Sequence, residues 1–405
     1  MKKYLCFQFL LVCSLYAVAQ KNNSSITVID TLPFQNSAHH WYDIFEPRNI
    51  INPVVNQPRY RSSQITAIAD NIILYQKSNG GWPKNYDMLA ILTDEQKKLI
   101  RSKKNATNTT FDNSTTYSHV DCLAKVYKAT GNKKYKTACL NGLNFILSAQ
   151  YTNGGWPQYF PLENNYSNCV TFNDDVMTGI LSVFNNIINN APAYSFLNNA
   201  VRKKIKTAFD KGMHCVLATQ IKDNNKLTAW CQQYDPVSLA PTWARKFEPP
   251  SICNRESATL VLFLMTIKNP SQELINAIQS AVKWFDDSKI LYTRVKTISA
   301  PTVIYKVRKS STDKVVVIDS AAPPIWARYY ELKTDKPLFC NRDGKVVYTL
   351  AKVERERRDG YGWYVNDPKF VLKKYPEWQQ KYAPDDDVLE TITRAVGCPT
   401  QVIIH

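Results

Sequence analysis

Apolar residues recur three and four positions apart in several stretches of the chain, as expected for helices that bury one face. The first stretch, 65–75, stands alone, and the later ones follow one another in pairs. The paired stretches are 117–127 with 139–150, 176–187 with 205–216, and 255–265 with 274–285. The pattern therefore predicts a mainly α protein built from three helical hairpins in sequence.

A short phrase separates these stretches. NGGWP occurs at 79–83 and again at 153–157, and Trp230 follows after the same interval of 74 residues. Asn and Gly tolerate positive φ and so end a helix, and Pro prevents the helix from resuming. A period of this length suits a pair of helices used three times. We therefore predict an α/α toroid or partial barrel, in which each phrase is a helix stop that leaves an aromatic side chain exposed just beyond it.

The segments on either side of the helical region have a different composition. Residues 20–56 are rich in Asn, Ser and Pro and predict an N-terminal linker or irregular wrap, followed by one domain over 57–375. Beyond residue 290, β-branched runs at 303–307 and 314–318 predict a small β-hairpin among long irregular loops. Residues 376–405 are interpreted as a tail packed on or flanking the domain.

The first nineteen residues have the features of a secretory signal. Lys2 and Lys3 precede an apolar run that is too short to span a bilayer, and a small-residue cleavage site ends at Ala19. Cys13 leaves a lipoprotein as the less favoured alternative. We expect a secreted or periplasmic protein with no stable membrane insertion.

The mature chain is strongly basic, since the formal net charge of +17 falls only to +15 when Lys2 and Lys3 are removed. Scattered basic residues on an exported protein argue against nucleic acid as the partner and favour an acidic polysaccharide. We expect the protein to be monomeric. Eight of the ten cysteines follow the signal. Their apolar surroundings leave both buried free thiols and one or two disulfides open.

Acidic and amide residues stand at the equivalent point of the first two repeats. Asp112 and Asn113 precede one helix, and Asp174 and Asp175 precede the next. Asp and Asn are preferred helix N-caps, which is the simpler interpretation of a single occurrence. Their recurrence after the same phrase favours a cation site, because carboxylate and amide oxygens are the ligands of a hard cation such as Ca²⁺. Substrate and water oxygens would have to complete so small a ligand set.

Arginines become prominent farther along the chain. Arg245 and Glu248 lie in WARKFEPPS before the third hairpin, and Arg328 and Arg342 stand among aromatic residues. Any one of these arginines alone is most simply a surface or ion-paired residue. Beside a cluster of carboxylates and a metal ion, they would form a site for a polymer that carries carboxylates, through bidentate pairing.

The order of the motifs between about Arg61 and Tyr364 resembles the pectate lyases of polysaccharide lyase family 10. The motifs are the two NGGWP phrases, FDNSTTYSHVDCLAKVY, TFNDDVM, WARKFEPPS with the following ES, and WARYYEL…PLFCNRDG…YTLAKVERERRDGYGWY. The resemblance implies the (α/α)3 toroid and a Ca²⁺-dependent β-elimination in homogalacturonan, with polygalacturonate or pectin oligosaccharides as substrate.

The resemblance also implies roles for individual residues. Asp112 and Asp174 would bind Ca²⁺, with Asn113 and Asp175 as weaker ligand candidates. Arg245 would be the base that removes the C5 proton, which requires neighbouring positive charge and desolvation to favour its neutral form. The residues expected to contact substrate are Arg328, Arg342, Glu248, Lys84, Trp82, Trp156 and Tyr159.

Two departures and two other interpretations accompany this resemblance. Pro249 replaces a residue that is usually hydrophobic, and 295–320 looks like an insertion. A non-catalytic carbohydrate-binding protein would explain the tryptophans but not the matched acidic and arginine positions. A terpene-cyclase-like toroid would share the Gln-x(3)-Gly-Gly-Trp pattern at Gln76 and Gln150. It would need an apolar cavity rather than an array of arginines.

Overall fold

Three consecutive helix pairs form the body of the protein, as the apolar periodicity predicts. The structure is a computed structural model that describes residues 26–43, 49–305 and 309–389, so the expected signal lies outside the described residues. The α-helices of the described residues are α1 (Gln35–Asp43), α2 (Ile65–Tyr75), α3 (Asp94–Ser102), α4 (Tyr117–Thr130), α5 (Lys133–Ser148), α6 (Val176–Ile188), α7 (Asn199–Ala218), α8 (Asn254–Leu264), α9 (Gln272–Asp287), α10 (Arg355–Gly360) and α11 (Pro368–Tyr382).

The strands are short except for one long hairpin. They are β1 (Val170–Thr171), β2 (Lys222–Asp223), β3 (Lys226–Leu227), β4 (Gln233–Tyr234), β5 (Ile252–Cys253), β6 (Thr293–Ile304), β7 (Lys309–Ile318), β8 (Trp326–Ala327), β9 (Tyr329–Tyr330), β10 (Pro337–Cys340), β11 (Val346–Val347) and β12 (Tyr364–Val365). The largest sheet has four strands in the order β11-β10-β9-β5. It joins the segment before α8 to the irregular region that follows the hairpin β6–β7.

The helix pairs α4–α5, α6–α7 and α8–α9 pack internally, and α4 contacts α6, which in turn contacts α8. Helix α2 packs against α4 and α5 before the first pair, and α11 packs on α8 and α9 after the last. The predicted mainly α architecture of three helical hairpins is therefore confirmed. Among the described residues, no helix combines the length and apolarity needed to cross a membrane.

Each stop closes the preceding helix through a buried tryptophan. The indole N–H groups of Trp82, Trp156 and Trp230 donate to last-turn carbonyls of α2, α5 and α7 at 2.7, 2.8 and 2.8 Å, where intrahelical partners run out. All three side chains are fully buried. The prediction that Trp82 and Trp156 are exposed and contact sugar is therefore wrong. Gly142 and Gly212 make the burial possible, because a Cβ there would lie 2.8 or 2.9 Å from the ring of Trp82 or Trp156.

A glutamine before each stop ties it to the next helix pair. The side-chain amides of Gln76, Gln150 and Gln220 donate to main-chain carbonyls of α5, α7 and α9 at 2.9, 2.8 and 2.9 Å. Each amide also donates to the carbonyl two residues before the tryptophan of its stop. The phrase therefore joins successive helix pairs as well as ending a helix.

A fourth stop follows the last helix pair, and the sequence pattern did not reveal it. Trp326 donates its indole N–H to the carbonyl of Phe285 in the last turn of α9 at 2.7 Å, 41 residues earlier. The hydroxyl of Tyr330 accepts a hydrogen bond from the main-chain N–H of Ala327, three residues earlier. The hydroxyl of Tyr234 accepts from the main-chain N–H of Cys231 in the same way. The long hairpin between α9 and Trp326 hides this repeat from a search for a fixed period.

Three boundaries differ from the sequence prediction or refine it. The hairpin β6–β7 is confirmed, but its first strand already begins at Thr293, and its register shifts between Ser299 and Val303, on either side of a proline. Positions 306 and 307 of the predicted run lie outside the described residues. Helix α11 runs across the expected boundary at 375/376, so residues 376–382 continue a packed helix. The seven cysteines among the described residues are buried free thiols, and Cys398 lies outside those residues.

Candidate functional site

The loops that lead into α4 and α6 hold polar residues in a strained backbone. Asn113, Ser114 and Thr116 in one loop, and Asp174 and Asp175 in the other, have φ between 49° and 65°. Such a conformation costs a non-glycine residue about 1–3 kcal/mol. Asp175, directly before α6, makes no side-chain capping hydrogen bond. Helix capping therefore does not explain Asp175, whereas Thr116 forms a capping box with His119 at the start of α4. Residues 112–116 and 173–175 are called the carboxylate loops below.

Asp112 and Asp174 bring their carboxyl groups together across the two loops and share a hydrogen bond. Asp112 also accepts a hydrogen bond from Gln158 Nε2 at 2.9 Å and pairs with the ammonium group of Lys84. Asp174 accepts from Asn173 Nδ2 at 2.9 Å. The two predicted main ligands are thus in contact, although they are 62 residues apart in the sequence.

The environment shifts the pKa values of the two carboxyl groups in opposite directions. Burial alone would raise the pKa of Asp112, but the Lys84 ammonium and the hydrogen bond from Asp174 hold that pKa well below its usual value. Burial and the charge of Asp112 raise the pKa of Asp174 well above its usual value. Burial and then the carboxylate of Glu256 raise the pKa of Asp175 to about 6. Asp112 is therefore the more acidic member of the pair, and Asp174 is the more readily protonated one.

Lys84 lies beside Asp112 and is itself supported by Tyr159. Burial would lower the pKa of Lys84, but Asp112 and Tyr159 raise it above its usual value, so the ammonium stays charged. The Lys84 Nζ atom lies 5.7 Å from the centre of the Tyr159 ring, and Tyr159 is only 8% exposed. The prediction that Tyr159 presents a surface to sugar is therefore wrong; this buried ring supports Lys84 instead.

Glu248 holds Arg245 on the opposite side of the site. Nε and Nη2 of Arg245 donate to the two oxygens of Glu248 at 2.8 and 2.5 Å, and the Tyr361 hydroxyl donates to Glu248 at 2.8 Å. Burial would lower the pKa of Arg245, but the Glu248 carboxylate raises it well above its usual value. Both oxygens of Glu248 are occupied in this arrangement, so Glu248 positions Arg245 rather than offering itself to substrate as predicted.

Three guanidinium groups surround the ring of Phe247. Those of Arg245, Arg357 and Arg342 lie 4.7, 4.7 and 5.4 Å from its centre, at distances typical of cation–π contacts. Glu356 joins two of them, accepting from Arg342 at 2.8 and 2.9 Å and from Arg357 at 2.9 and 2.8 Å. Residues 245, 247, 342 and 357 are called the arginine wall below.

The inserted hairpin supports the arginine wall from outside. Asp313 of β7 accepts two hydrogen bonds from Arg358 of α10, at 2.8 and 2.6 Å. Asp359 of α10 accepts from Ser310 and Thr312 of β7 at 2.5 and 3.0 Å. Because α10 carries Glu356 and Arg357 and leads into Tyr361, these contacts fix the groups that hold Arg245.

Arg328 is buried between the two sides of the site. Its Nη2 atom lies 2.5 Å from Oε1 of Glu256, and its guanidinium lies 4.8 Å from the centre of the Tyr361 ring. Burial would lower the pKa of Arg328, but Glu256 raises it well above its usual value. Arg328 stands two residues after the tryptophan of its stop, as Lys84 and Gln158 do after theirs.

One cavity of about 550 Å³ joins the carboxylate loops to Arg245. Its lining is predominantly polar and charged. The residues that line it are Leu32, Gln35, Asn36, His40, Lys84, Asp112, Asn113, Ser114, Gln158, Tyr166, Asn173, Asp174, Asp175, Arg245, Glu248, Arg255 and Glu256. Within the described part of the chain, no group of three or more His, Cys, Asp or Glu side chains is arranged to hold a metal ion.

The sequence interpretation missed several groups of this cavity. Gln158 bonds Asp112 and Glu256 pairs with Arg328, but neither was predicted. Aligning the stops would have found Gln158, because it occupies the same position after Trp156 as Lys84 does after Trp82. The contribution of residues 32–40 had no comparable signal, since it depends on where the N-terminal segment packs.

The fold agrees with comparisons to known proteins. A family model described as pectic acid lyase matches residues 76–372. The chain belongs to the pectic acid lyase family. A search of curated proteins gave no significant match.

Two solved structures of family 10 polysaccharide lyases resemble the protein. One is a family 10 polysaccharide lyase from Cellvibrio cellulosa, with 30% identity and a TM-score of 0.66, covering 78% of this chain and 91% of that chain. The other is an Asp-to-Ala mutant of a family 10 polysaccharide lyase from the same organism in complex with trigalacturonic acid, with the same identity and TM-score and 92% of that chain covered. The predicted α/α toroid is confirmed, and the protein is a polysaccharide lyase of the pectin-degrading type.

Proposed function

We propose that the protein is a Ca²⁺-dependent pectate lyase that cleaves α-1,4-linked galacturonan by β-elimination. The observation that carries this proposal is the meeting of Asp112, Asp174 and Arg245 in one polar cavity. Elimination breaks the C5–H bond, forms the C4=C5 double bond and breaks the bond from C4 to the glycosidic oxygen, which leaves with a proton. An acidic polymer suits the basic chain, and we propose that it is met after export through the predicted signal.

The oxygen donors at the carboxylate loops fit a calcium ion. The carboxyl groups of Asp112 and Asp174 are in contact, so a divalent cation would relieve the repulsion between them, and Asn113 and Asp175 line the same cavity. The side-chain oxygen of Gln158, whose amide N–H donates to Asp112, is buried and has no hydrogen-bond partner among the described residues. These groups give the oxygen-only donor set that Ca²⁺ prefers. When bound, the ion would supply positive charge that acidifies the C5 proton of the uronate.

Arg245 is proposed as the base that removes the C5 proton. Burial favours its neutral form, but Glu248 opposes it and keeps the guanidinium charged in the free protein. The role as base therefore requires substrate to disturb the Arg245–Glu248 pair, so that the arginine loses its counter-ion beside other positive charges. Alkaline pH would favour the same change.

The remaining charged groups suit recognition of the uronate carboxylates. Arg328 and Arg342 are proposed to hold substrate carboxylates, and Lys84 lies at the cavity surface where it can do the same. Arg328 is held by Glu256 and Arg342 by Glu356, so their guanidinium groups are already oriented before substrate binds. Preoriented guanidinium groups lose less conformational entropy on binding than flexible lysines.

One assay tests this proposal. The mature protein is incubated with polygalacturonate at alkaline pH, with Ca²⁺ or with a chelator, and the ultraviolet absorbance of the unsaturated uronide is followed. We expect a Ca²⁺-dependent rise. Binding without product would favour a non-catalytic carbohydrate-binding protein instead. Retention of the rate in Arg245→Ala would remove only the assignment of the base.

A further inference from the structure

The N-terminal strap, defined as residues 29–43, has two distinct faces. Phe34, Ser37 and Trp41, spaced three and four residues apart, are buried. Leu32, Asn36 and His40, each four residues apart, line the cavity of the active site. Since residues with this spacing lie on one side of a helix, α1 packs one side onto the toroid and turns the other toward the cavity. Gln35 also lines this cavity.

The packed face fixes the strap in place. The Ser37 hydroxyl exchanges hydrogen bonds with the main chain of Tyr86 at 3.0 Å in both directions. The Trp41 indole donates to the carbonyl of Ile51 at 2.9 Å, and Tyr42 donates to Asp87 at 3.0 Å. These contacts bind the strap to the first stop and its surroundings. The N-terminal strap is therefore a fixed part of the cavity wall.

The other face reaches the carboxylate loops. The Asn36 amide donates to Oδ1 of Asn113 at 2.9 Å, which places the strap directly beside the proposed calcium ligands. Gln35 and His40 add an amide and an imidazole to the same cavity. The strap precedes the residues that the family model matches, which begin at 76, so the family match assigns no role to it.

We propose that the strap forms an additional galacturonate subsite on the carboxylate-loop side of the cavity, with Gln35 and His40 contacting the sugar. Amide and imidazole groups suit sugar hydroxyls and ring oxygens, which need both donors and acceptors. Substrates long enough to reach the strap are bound more tightly than those that stop short of it. This inference rests on the proposed function only for the identity of the sugar.

The test compares Gln35→Ala/His40→Ala with the matched control His39→Ala. His39 neighbours His40 but pairs with Asp43 on the exposed side of α1, outside the cavity. Neither change touches the packed face, so the melting temperatures of the variants should match that of the wild type. Titration calorimetry measures binding of hexagalacturonate and trigalacturonate without turnover, in the presence of chelator.

We expect the double variant to bind hexagalacturonate about tenfold more weakly, from the loss of two neutral hydrogen-bonding groups, while its trigalacturonate affinity changes less. In the lyase assay, the ratio of kcat/KM for the hexamer over the trimer should fall by the same factor. His39→Ala should behave as wild type in both measurements. A double variant with the length dependence of His39→Ala would overturn the subsite.

The outcomes separate this inference from the lyase proposal. If the wild type cleaves galacturonan and the double variant keeps the wild-type length dependence, the subsite is refuted and the lyase stands. If the wild type binds the hexamer in a strap-dependent way but releases no unsaturated product, the subsite stands and the lyase is refuted. If the wild type does not bind the hexamer at all, the subsite is refuted by the binding measurement alone.

Discussion

Arg245 of the arginine wall lines the same cavity as the carboxylate loops, but the wall and the loops are built differently. The carboxylate loops occur at equivalent points of two repeats, directly before α4 and α6, in a backbone with positive φ. In the arginine wall, Arg245 and Phe247 follow the third stop, but Arg342 and Arg357 come from segments beyond the repeat, and the wall depends on α10 and the hairpin β6–β7 for its position. The repeat thus provides the fixed oxygen ligands, whereas the irregular segments provide the groups that must respond to substrate.

The largest effect should come from breaking the carboxylate loops. Asp174→Ala removes one of two touching carboxyl groups and should lower kcat/KM on polygalacturonate by about 100- to 1000-fold, the usual cost of losing a preorganised stabilising group. Restoring part of the rate with excess Ca²⁺ would identify the loss as one of affinity. Asp210→Ala, at an exposed pair with Lys206, is the control and should leave the rate unchanged. A near-normal rate in Asp174→Ala would show that the loops do not bind the cation.

A second change would decide what the arginine wall contributes. Glu248 raises the pKa of Arg245, so Glu248→Gln should lower that pKa and move the rising limb of the kcat/KM profile, which the base controls, to lower pH. We also expect a loss of rate of about tenfold, because Arg245 loses its anchor. If the activity falls but the rising limb of the pH profile does not shift, Arg245 stabilises charge and does not act as the base. The exposed Glu273→Gln is the control.

A smaller effect should follow from loosening the hairpin. Asp313→Ala breaks the contact between β7 and Arg358, so α10 is held less firmly and kcat/KM should fall about three- to tenfold. The concentration of Ca²⁺ that gives half-maximal rate should not change, because the carboxylate loops are untouched. Asp319→Ala removes an ion pair with Arg294 in the same hairpin, away from α10, and is the matched control. Equal losses in the two variants would refute this positioning role.

The smallest effect concerns acid stability. Burial would raise the pKa of Glu356, but hydrogen bonds from Arg342 and Arg357 lower it to about 2. A carboxyl group whose pKa is lower in the folded than in the unfolded protein contributes fully to stability above its unfolded pKa, about 4.3. That contribution is lost as the pH falls toward the pKa of the folded state. Melting temperatures of the wild type should therefore decline between about pH 4.5 and 2 more steeply than those of Glu356→Gln. If the melting temperatures of the two proteins fall in parallel with pH, the ion pairs of Glu356 with Arg342 and Arg357 do not stabilise the arginine wall.

The carboxylate loops could be predicted from the sequence because their determinants are local and repeated. Asp112 and Asp174 follow the same phrase, and the structure brings them into contact. The contact of Arg245 with Glu248 is also local, but its consequence for the pKa of Arg245 depends on burial. Tyr361, which lies 113 residues beyond Glu248 and donates a hydrogen bond to it, raises that pKa further.

The misassigned aromatics show what a local pattern omits. Trp82 and Trp156 follow helix stops, and such positions usually lie at the surface. Their burial depends on Gly142 and Gly212, which leave room for the rings on helices of the following repeat unit. The N-terminal strap was predicted only as a wrap, because its role in the cavity depends on helical phase within α1 and on the surface that it meets.

The indole-to-carbonyl contact that ends each helix also marks the points where the chain can accept new segments. The separation between acceptor and donor is 10 residues at the first two stops, 14 at the third and 41 at the fourth, yet the bond stays between 2.7 and 2.8 Å. Closing a loop four times longer costs only about 1.2 kcal/mol. A designer could therefore graft foreign loops between the helix end and its tryptophan with little loss of stability, as the natural hairpin at the fourth stop already demonstrates.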